Sequence, residues 1–327
     1  MKHHISLFRT VVLMAIMAAF VLSACAPAAA PAPTGGKCKI GFSVYDMQYG
    51  FFQEMERGTK EAAQAAGCDY VLVDQKSSES TMVSATQDML NQGITALIIS
   101  PIKPDAMGPI VDAAKAKGLP VVVDDIGGGG TKYDVIVISD NYKGGVLAAE
   151  EMDKLIKAKG ASKNVASITC EPSAVYAARR NQGFEAKMKE LGYSIVASLS
   201  GNSKQEEGYK VMKDVLSAHP DVAGVFSCND PMAVGAAQAI ADSGKSGSTD
   251  IFVIGFNADD IALQAIKAGQ MAGTVQQVPY EMGKMTVALA NKLAAKETLK
   301  YDSADQREIY VPVNLINAAN VDTLLKK

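Results

Sequence analysis

An α/β protein made of two doubly wound parallel-sheet units in tandem is what this sequence predicts, on three observations. Short β-branched runs alternate with helical patterns, and the runs are apolar throughout, as strands covered on both faces of a parallel sheet must be. The alternation then restarts: runs beginning at residues 40, 70, 96 and 121 are answered by runs beginning at 165, 194, 222 and 251. Finally, 327 residues, 48% apolar and 20% charged, are more than one compact core usually serves.

In the first unit the strands are IGFSV at Ile40, YVLVD at Tyr70, ALIIS at Ala96 and PVVVDD at Pro120. The intervening helices are predicted over residues 53–66, 80–92 and 104–117, with apolar residues such as Phe52, Met55, Ala62 and Ala66 at helical spacing. Each is followed by a glycine, Gly67, Gly93 or Gly118, where a helix takes its left-handed C-terminal residue. The second unit repeats the pattern with VASIT at Val165, SIVASLS at Ser194, VAGVFS at Val222 and IFVIGF at Ile251.

The amino terminus reads as an address. Lys2 and Arg9 precede an apolar run of 12 residues from Val11 to Leu22, too short to span a bilayer and right for a signal-peptide core. It ends in Leu22-Ser23-Ala24-Cys25, which resembles the bacterial lipobox, so residues 1–24 are expected to be removed and Cys25 lipidated. The uncharged APAAAPAPTGG tract that follows cannot bury a core and is expected to act as a tether, residues 25–37 in all. The protein is thereby expected in the periplasm or on the outer face of the envelope, attached to the membrane by its lipid alone.

Composition removes several function classes. Lys plus Arg total 32 against 35 Asp plus Glu, without a basic block, which disfavours nucleic acid as a partner. His3 and His4 lie in the leader, and His219 alone cannot assemble a familiar zinc site, so neither metal nor cofactor is expected. No enzyme is read here: Gly-x-Ser-x-Gly is absent, and Gly244-Lys245-Ser246 has Ala239 where a phosphate-binding loop needs its leading glycine.

Ligands of doubly wound sheets bind beyond the carboxyl ends of the strands, so the residues there are the informative ones. Tyr45, Tyr49, Phe51 and Phe52 crowd the first strand end, Asp124 and Asp125 follow the fourth, and Asn229, Asp230, Asn257, Asp259 and Asp260 follow strands of the second unit. Aromatic faces beside planar amides and carboxylates suit a sugar ring, whose C–H faces stack while its hydroxyls need donors and acceptors. Phe52 equally suits the core, and Asp259 and Asp230 equally suit helix caps.

These segments together carry a family resemblance. IGFSVYDMQYGFFQEMERGTKEAA, ALIISP, LPVVVDD, the SDN at residues 139–141, RRNQGF from Arg179, AHPDVAGVFSCNDPMAVGA, VIGFN and GTVQQVP resemble the ribose-binding family of periplasmic sugar-binding proteins, the type I solute receptors of ABC transporters. The resemblance implies two lobes joined by a three-crossing hinge, residues 38–139 with 278–313 and residues 140–277 with 314–327. It implies ligand contacts from Tyr45, Tyr49, Phe51, Phe52, Asp124, Asp125, Arg180, Asn229, Asn257 and Gln277. It also implies a monomer that hands a neutral monosaccharide, hexose or pentose, or a polyol, to an ABC permease. The alternative is a receptor presenting its sugar to a chemotaxis or sensor-kinase partner.

Departures from the family concern the ligand. Tyr45 and Tyr49 replace a small hydroxyl residue and an asparagine, Asp124-Asp125 replaces Asp-Arg, Asn257 replaces an aspartate and Ser203 an aromatic. Four further cysteines fall in pairs, Cys38 and Cys68 before the first two strands, Cys170 and Cys228 at the ends of two strands of the second unit. Doubly wound order brings each pair close, and outside the cytoplasm each is either a disulfide or two buried thiols.

Overall fold

The computed structural model describes residues 38–172 and 174–325; the leader, Cys25 and the tether lie outside the described residues. Two six-stranded sheets organise the chain. Sheet one contains β1 (Lys39–Val44), β2 (Asp69–Asp74), β3 (Ala96–Ile99), β4 (Val121–Asp124), β5 (Val135–Ser139) and β11 (Glu308–Val311), in the order β11-β5-β4-β3-β1-β2 and parallel throughout. Sheet two contains β6 (Asn164–Thr169), β7 (Ser194–Ser200), β8 (Gly224–Ser227), β9 (Phe252–Asn257), β10 (Gly273–Gln276) and β12 (Asn314–Asn317), in the order β12-β10-β9-β8-β6-β7. Only β12 runs antiparallel to its neighbour.

Alternate residues of each strand enter different cores. In sheet one Ile98, Val122 and Val137 pack on one face while Leu97, Ile99, Val121, Val123 and Ile136 pack on the other. In sheet two Ala166, Ile168 and Val225 oppose Val165, Phe226 and Ile254 in the same way. The period of two with both faces apolar is why these strands read as continuous hydrophobic runs.

Helices cover those faces: α1 (Gly50–Ala65), α2 (Glu79–Leu90), α3 (Gly108–Ala116) and α9 (Pro279–Ala294) on sheet one, and α4 (Asn141–Lys159), α5 (Val175–Glu190), α6 (Gln205–Ala218), α7 (Asp230–Asp242), α8 (Asp260–Lys267) and α10 (Asp322–Leu325) in the second lobe. Gly67, Gly93 and Gly118 adopt φ of 71°, 73° and 71°, the left-handed C-terminal residues that the sequence calls for. The third helix differs from expectation. Residues 104–106 form a 3-10 turn and the α-helix begins only at Gly108, because Pro109, which lacks an N–H, is accepted in a helix's first turn.

The chain passes between lobes three times, from β5 into α4, from β10 into α9 and from β11 into β12. The first and third passages are tied together, the Asp140 N–H donating to the Val311 carbonyl at 2.9 Å. Cys38 is joined to Cys68 with Cα atoms 4.6 Å apart, at the amino-terminal edge of sheet one, and Cys170 to Cys228 with Cα atoms 5.9 Å apart, at the carboxyl-terminal edge of sheet two. Among the described residues no helix is long and apolar enough to cross a membrane.

Candidate functional site

The carboxyl ends of both sheets face one cleft. On the lobe-one side the loop after β1 is shaped by the buried Asp46, whose carboxylate accepts from Ser77 Oγ at 2.6 Å, Gln48 N–H at 2.9 Å and Gln48 Nε2 at 2.8 Å. That loop and the first turn of α1 present an aromatic cluster. Tyr45 stacks on Phe52 with ring centroids 4.9 Å apart and planes 7° apart, and Phe51 meets Phe52 edge-on at 5.2 Å. Tyr49 stands at the rim, half exposed, 6.2 Å from Tyr45. Phe52 is only 8% exposed and belongs to the core, so of the four rings it offers a ligand least.

Asp124 ends β4 and is fully buried, and among the described residues neither carboxylate oxygen has a hydrogen-bond partner of normal geometry. The backbone N–H of Asp125 donates to the Val137 carbonyl at 2.8 Å. Burial, reinforced by the neighbouring Asp125 charge, holds the Asp124 carboxyl well above the ordinary carboxylate range. Asp125 takes a left-handed φ of 63°, a conformation unfavourable for a residue with a Cβ, which turns the chain sharply after the strand. It keeps partial solvent contact, yet burial raises its carboxyl to about 6 against the pull of Arg180.

Lobe two contributes the donors. Arg180 is placed by a close helix crossing: a Cβ on Gly145 of α4 would overlap the Arg180 carbonyl, and one on Gly183 would overlap that of Tyr142, so two glycines let α4 and α5 touch backbone to backbone. The guanidinium donates through Nε to Asn141 Oδ1 at 2.7 Å and through Nη1 to the Cys228 carbonyl at 2.9 Å and Asn257 Oδ1 at 3.3 Å. Among the described residues Nη2 has no such partner and remains available. Burial lowers the Arg180 pKa to about 10, with Asp125, Asp230 and Asp259 opposing, so the group is charged at neutral pH.

Asn229 caps α7, its Oδ1 accepting from the Met232 N–H at 3.2 Å, which leaves its amide nitrogen for another partner. Asp230 is the first residue of that helix and acts structurally. Its carboxylate accepts from Thr274 Oγ1 at 2.6 Å and from the Asp259 N–H at 2.8 Å, fastening the loop after β9. Burial and the Asp259 charge raise its pKa to about 7. Gln277 donates to Asn257 Oδ1 at 2.8 Å while its own Oε1, buried, has no partner. Asn257, at φ 128°, is thus the node that Arg180 and Gln277 share.

Two neighbours, Asn141 and Phe256, were not singled out as ligand-facing by the sequence. Asn141 orients Arg180, and Phe256 lies beneath it. Asp259 occupies the N-cap position of α8 but makes no capping bond; its carboxylate instead accepts from Asn257 Nδ2 at 3.3 Å, and burial raises its pKa. Asn141 and Phe256 gain their roles only through folding, whereas Asp259 was visible as a carboxylate just after a strand end. Phe51, Asn257, Asp259 and Gln277 also line an open cleft of ≈ 640 Å³ between α1 and α8.

The cluster sets acceptors on lobe one, Asp124 and Asp125, against donors and acceptors on lobe two, Arg180, Asn229 and Gln277. Vicinal hydroxyls, which donate and accept at once, are the complement of such a surface.

The periplasmic binding protein domain matches residues 40–298. The ribose import binding protein of Bacillus subtilis (strain 168) is 34% identical over 281 residues, covering 84% of this chain and 89% of its own. This chain belongs to the ribose-binding family of periplasmic binding proteins. Within that family the xylitol-binding protein of Mycolicibacterium smegmatis is 28% identical, covering 88% of this chain and 79% of its own. A solved periplasmic ribose ABC transporter structure from Conexibacter woesei DSM 14684 superposes with a TM-score of 0.80 at 25% identity, over 89% of this chain and 96% of that one. The two six-stranded lobes described above are the fold that such proteins share.

Proposed function

We propose that this member of the ribose-binding family is an extracytoplasmic lipoprotein that captures a neutral monosaccharide, hexose or pentose, or a polyol, by lobe closure and delivers it to an ABC permease. Residues 1–24 would be its signal peptide, Cys25 its lipid-bearing first residue, and residues 38–139 with 278–313 and 140–277 with 314–327 its lobes. The protein would act as a monomeric binder and not as an enzyme. Relatives named for ribose and for xylitol support the ligand class.

The observation that supports this is that polar atoms of both lobes, Asp124 Oδ1 and Oδ2 from lobe one and Gln277 Oε1 from lobe two, are buried without a partner among the described residues, while Asp125, next to Asp124, lies within electrostatic reach of Arg180 of lobe two. A buried polar group left unmatched costs about 1–3 kcal/mol, and a polyhydroxylated ligand bridging the lobes removes that cost while favouring the closed form. A single guanidinium among several carboxylates offers no second cation for an acidic sugar. Hydroxyl epimers would leave Asp124 or Gln277 unmatched again, which is where specificity arises.

Thermal denaturation of residues 37–327 with pentoses, hexoses and polyols tests this. A ligand at a hundred times its dissociation constant stabilises by about 2.7 kcal/mol, a clear rise in melting temperature. A ligand-free, folded sample that responds to no polyhydroxylated compound would refute the reading.

A further inference from the structure

The turn of α5 that carries Arg180 also carries the one interlobe ion pair with a fully buried carboxylate among the described residues. Arg179 donates through Nη1 to Glu308 Oε2 at 2.9 Å and through Nη2 to Glu308 Oε1 at 3.0 Å. Nη2 also donates to Gln306 Oε1 at 2.7 Å. Glu308 belongs to β11, the edge strand of sheet one, and its side chain is wholly inaccessible, with Tyr310 Oη donating to Oε2 at 2.8 Å. One turn earlier on α5, the Tyr176 ring lies 4.5 Å beneath the Arg179 guanidinium and packs on Gly127, in the loop that follows Asp125. Residues 176, 179 and 180 are spaced i, i+3, i+4, so one helical patch looks inward at the ligand cleft through Arg180 and across at lobe one through Tyr176 and Arg179.

We propose that Arg179 and Glu308 are positioning residues for ligand capture: their forked ion pair is a latch between the lobes that holds the Arg180 turn against lobe one and sets how much of the unliganded protein is closed. This rests on the reading that the cleft binds the solute. Closure without Arg179 would leave the Glu308 carboxylate buried and unpaired, which is strongly unfavourable, whereas in an open molecule water solvates it. The intact pair itself, desolvation set against attraction, is worth little net, so it biases closure and does not lock it. Neither side chain is among those placed at the ligand. Its loss therefore weakens every ligand by the same factor, the drop in the closed-competent fraction.

The test uses the mature body as wild type, Arg179→Met, Glu308→Gln and the double variant. Each is measured unliganded by small-angle X-ray scattering, then by calorimetric titration with D-ribose, D-allose, xylitol and myo-inositol. Arg179→Met is expected to show a larger unliganded radius of gyration and affinities lower by roughly tenfold for every compound that wild type binds, with the rank order kept. The double variant, which buries no lone charge but lacks the pair, should recover only part of that loss. Wild-type scattering together with wild-type affinities in Arg179→Met would overturn the latch, as would a lower melting temperature alone. Should Arg179→Met not fold, Glu308→Gln decides on the same two readouts. If wild type binds none of the compounds, the solute reading fails, while the scattering comparison still decides the latch by itself.

Discussion

The guanidinium carbon of Arg180 lies 4.0 Å from the ring centroid of Phe256, stacked on the floor of the cleft while Nε and Nη1 are spent on Asn141, Cys228 and Asn257. The planar fork is used on three sides at once, and an ammonium cannot reproduce that. Arg180→Lys should keep the charge and lose the geometry, lowering ligand affinity by about 100-fold, consistent with one or two charge-assisted bonds of about 1.5–3 kcal/mol. Titration calorimetry checks it; affinity within threefold of wild type would mean that Nη2 does not meet the ligand.

Asp124 makes stability depend on pH in a defined direction. Its folded pKa is raised, by burial first and then by Asp125, so between its unfolded and folded values the native state binds the extra proton. Stability therefore falls as pH rises through that window, and Asp125 at about 6 and Asp230 at about 7 add to the same trend. Asp124→Asn has no proton to lose. Its unliganded melting temperature should exceed that of wild type at pH 8, with the gap closing toward pH 4, while ligand binding weakens. Parallel melting curves for the two proteins across that range would show that Asp124 is not the buried acid described.

The strand-end residues were legible because a parallel sheet announces itself: apolar runs such as ALII and VVVD end abruptly in polar residues, and those residues must face the cleft. Four strands per unit stand out in the sequence, where the sheets have six. β5, VIVIS, is apolar throughout but follows β4 with no helix between them, so the strand–helix alternation passes over it; β10 is a short run, GTVQ, with little apolar character, and β11 and β12 are four-residue edge segments whose pairing comes from the crossings and not from their own composition. The partners of Arg180 were illegible for a related reason. Asn141 and Phe256 are 39 and 76 residues away in the chain; the glycine-mediated contact of α4 with α5 brings Asn141 to Arg180, while Phe256 arrives from the end of β9. Arg179 and Glu308, 129 residues apart, likewise carry no local signal.

The two cysteine pairs differ in what their loss should do. Cys38 and Cys68 sit at the edge of sheet one remote from the cleft, whereas the Cys228 carbonyl is itself an acceptor for Arg180. Loops of 30 and 58 residues closed by the bridges predict a stability loss of about 3–4 kcal/mol for either pair on removal. Only Cys170→Ala/Cys228→Ala should also weaken ligand binding; Cys38→Ala/Cys68→Ala should leave it unchanged. Non-reducing peptide mapping checks the pairing, and equal binding losses in both variants would contradict the placement.

Gly127 offers a way to disturb closure without touching a charged group. Its φ lies outside the left-handed region, so alanine fits the backbone, but the added Cβ would overlap the Tyr176 ring of the opposite lobe. The ring can relieve this only by swinging out from under Arg179, or the lobes by parting. Gly127→Ala should therefore lower ligand affinity by roughly 3- to 10-fold through the closed fraction, with little change in unliganded melting temperature. Tyr176→Ala removes the obstacle, so in its background the Gly127→Ala substitution should have almost no effect on affinity. Additive losses in that double-mutant cycle would show that the two residues do not meet when the ligand is bound.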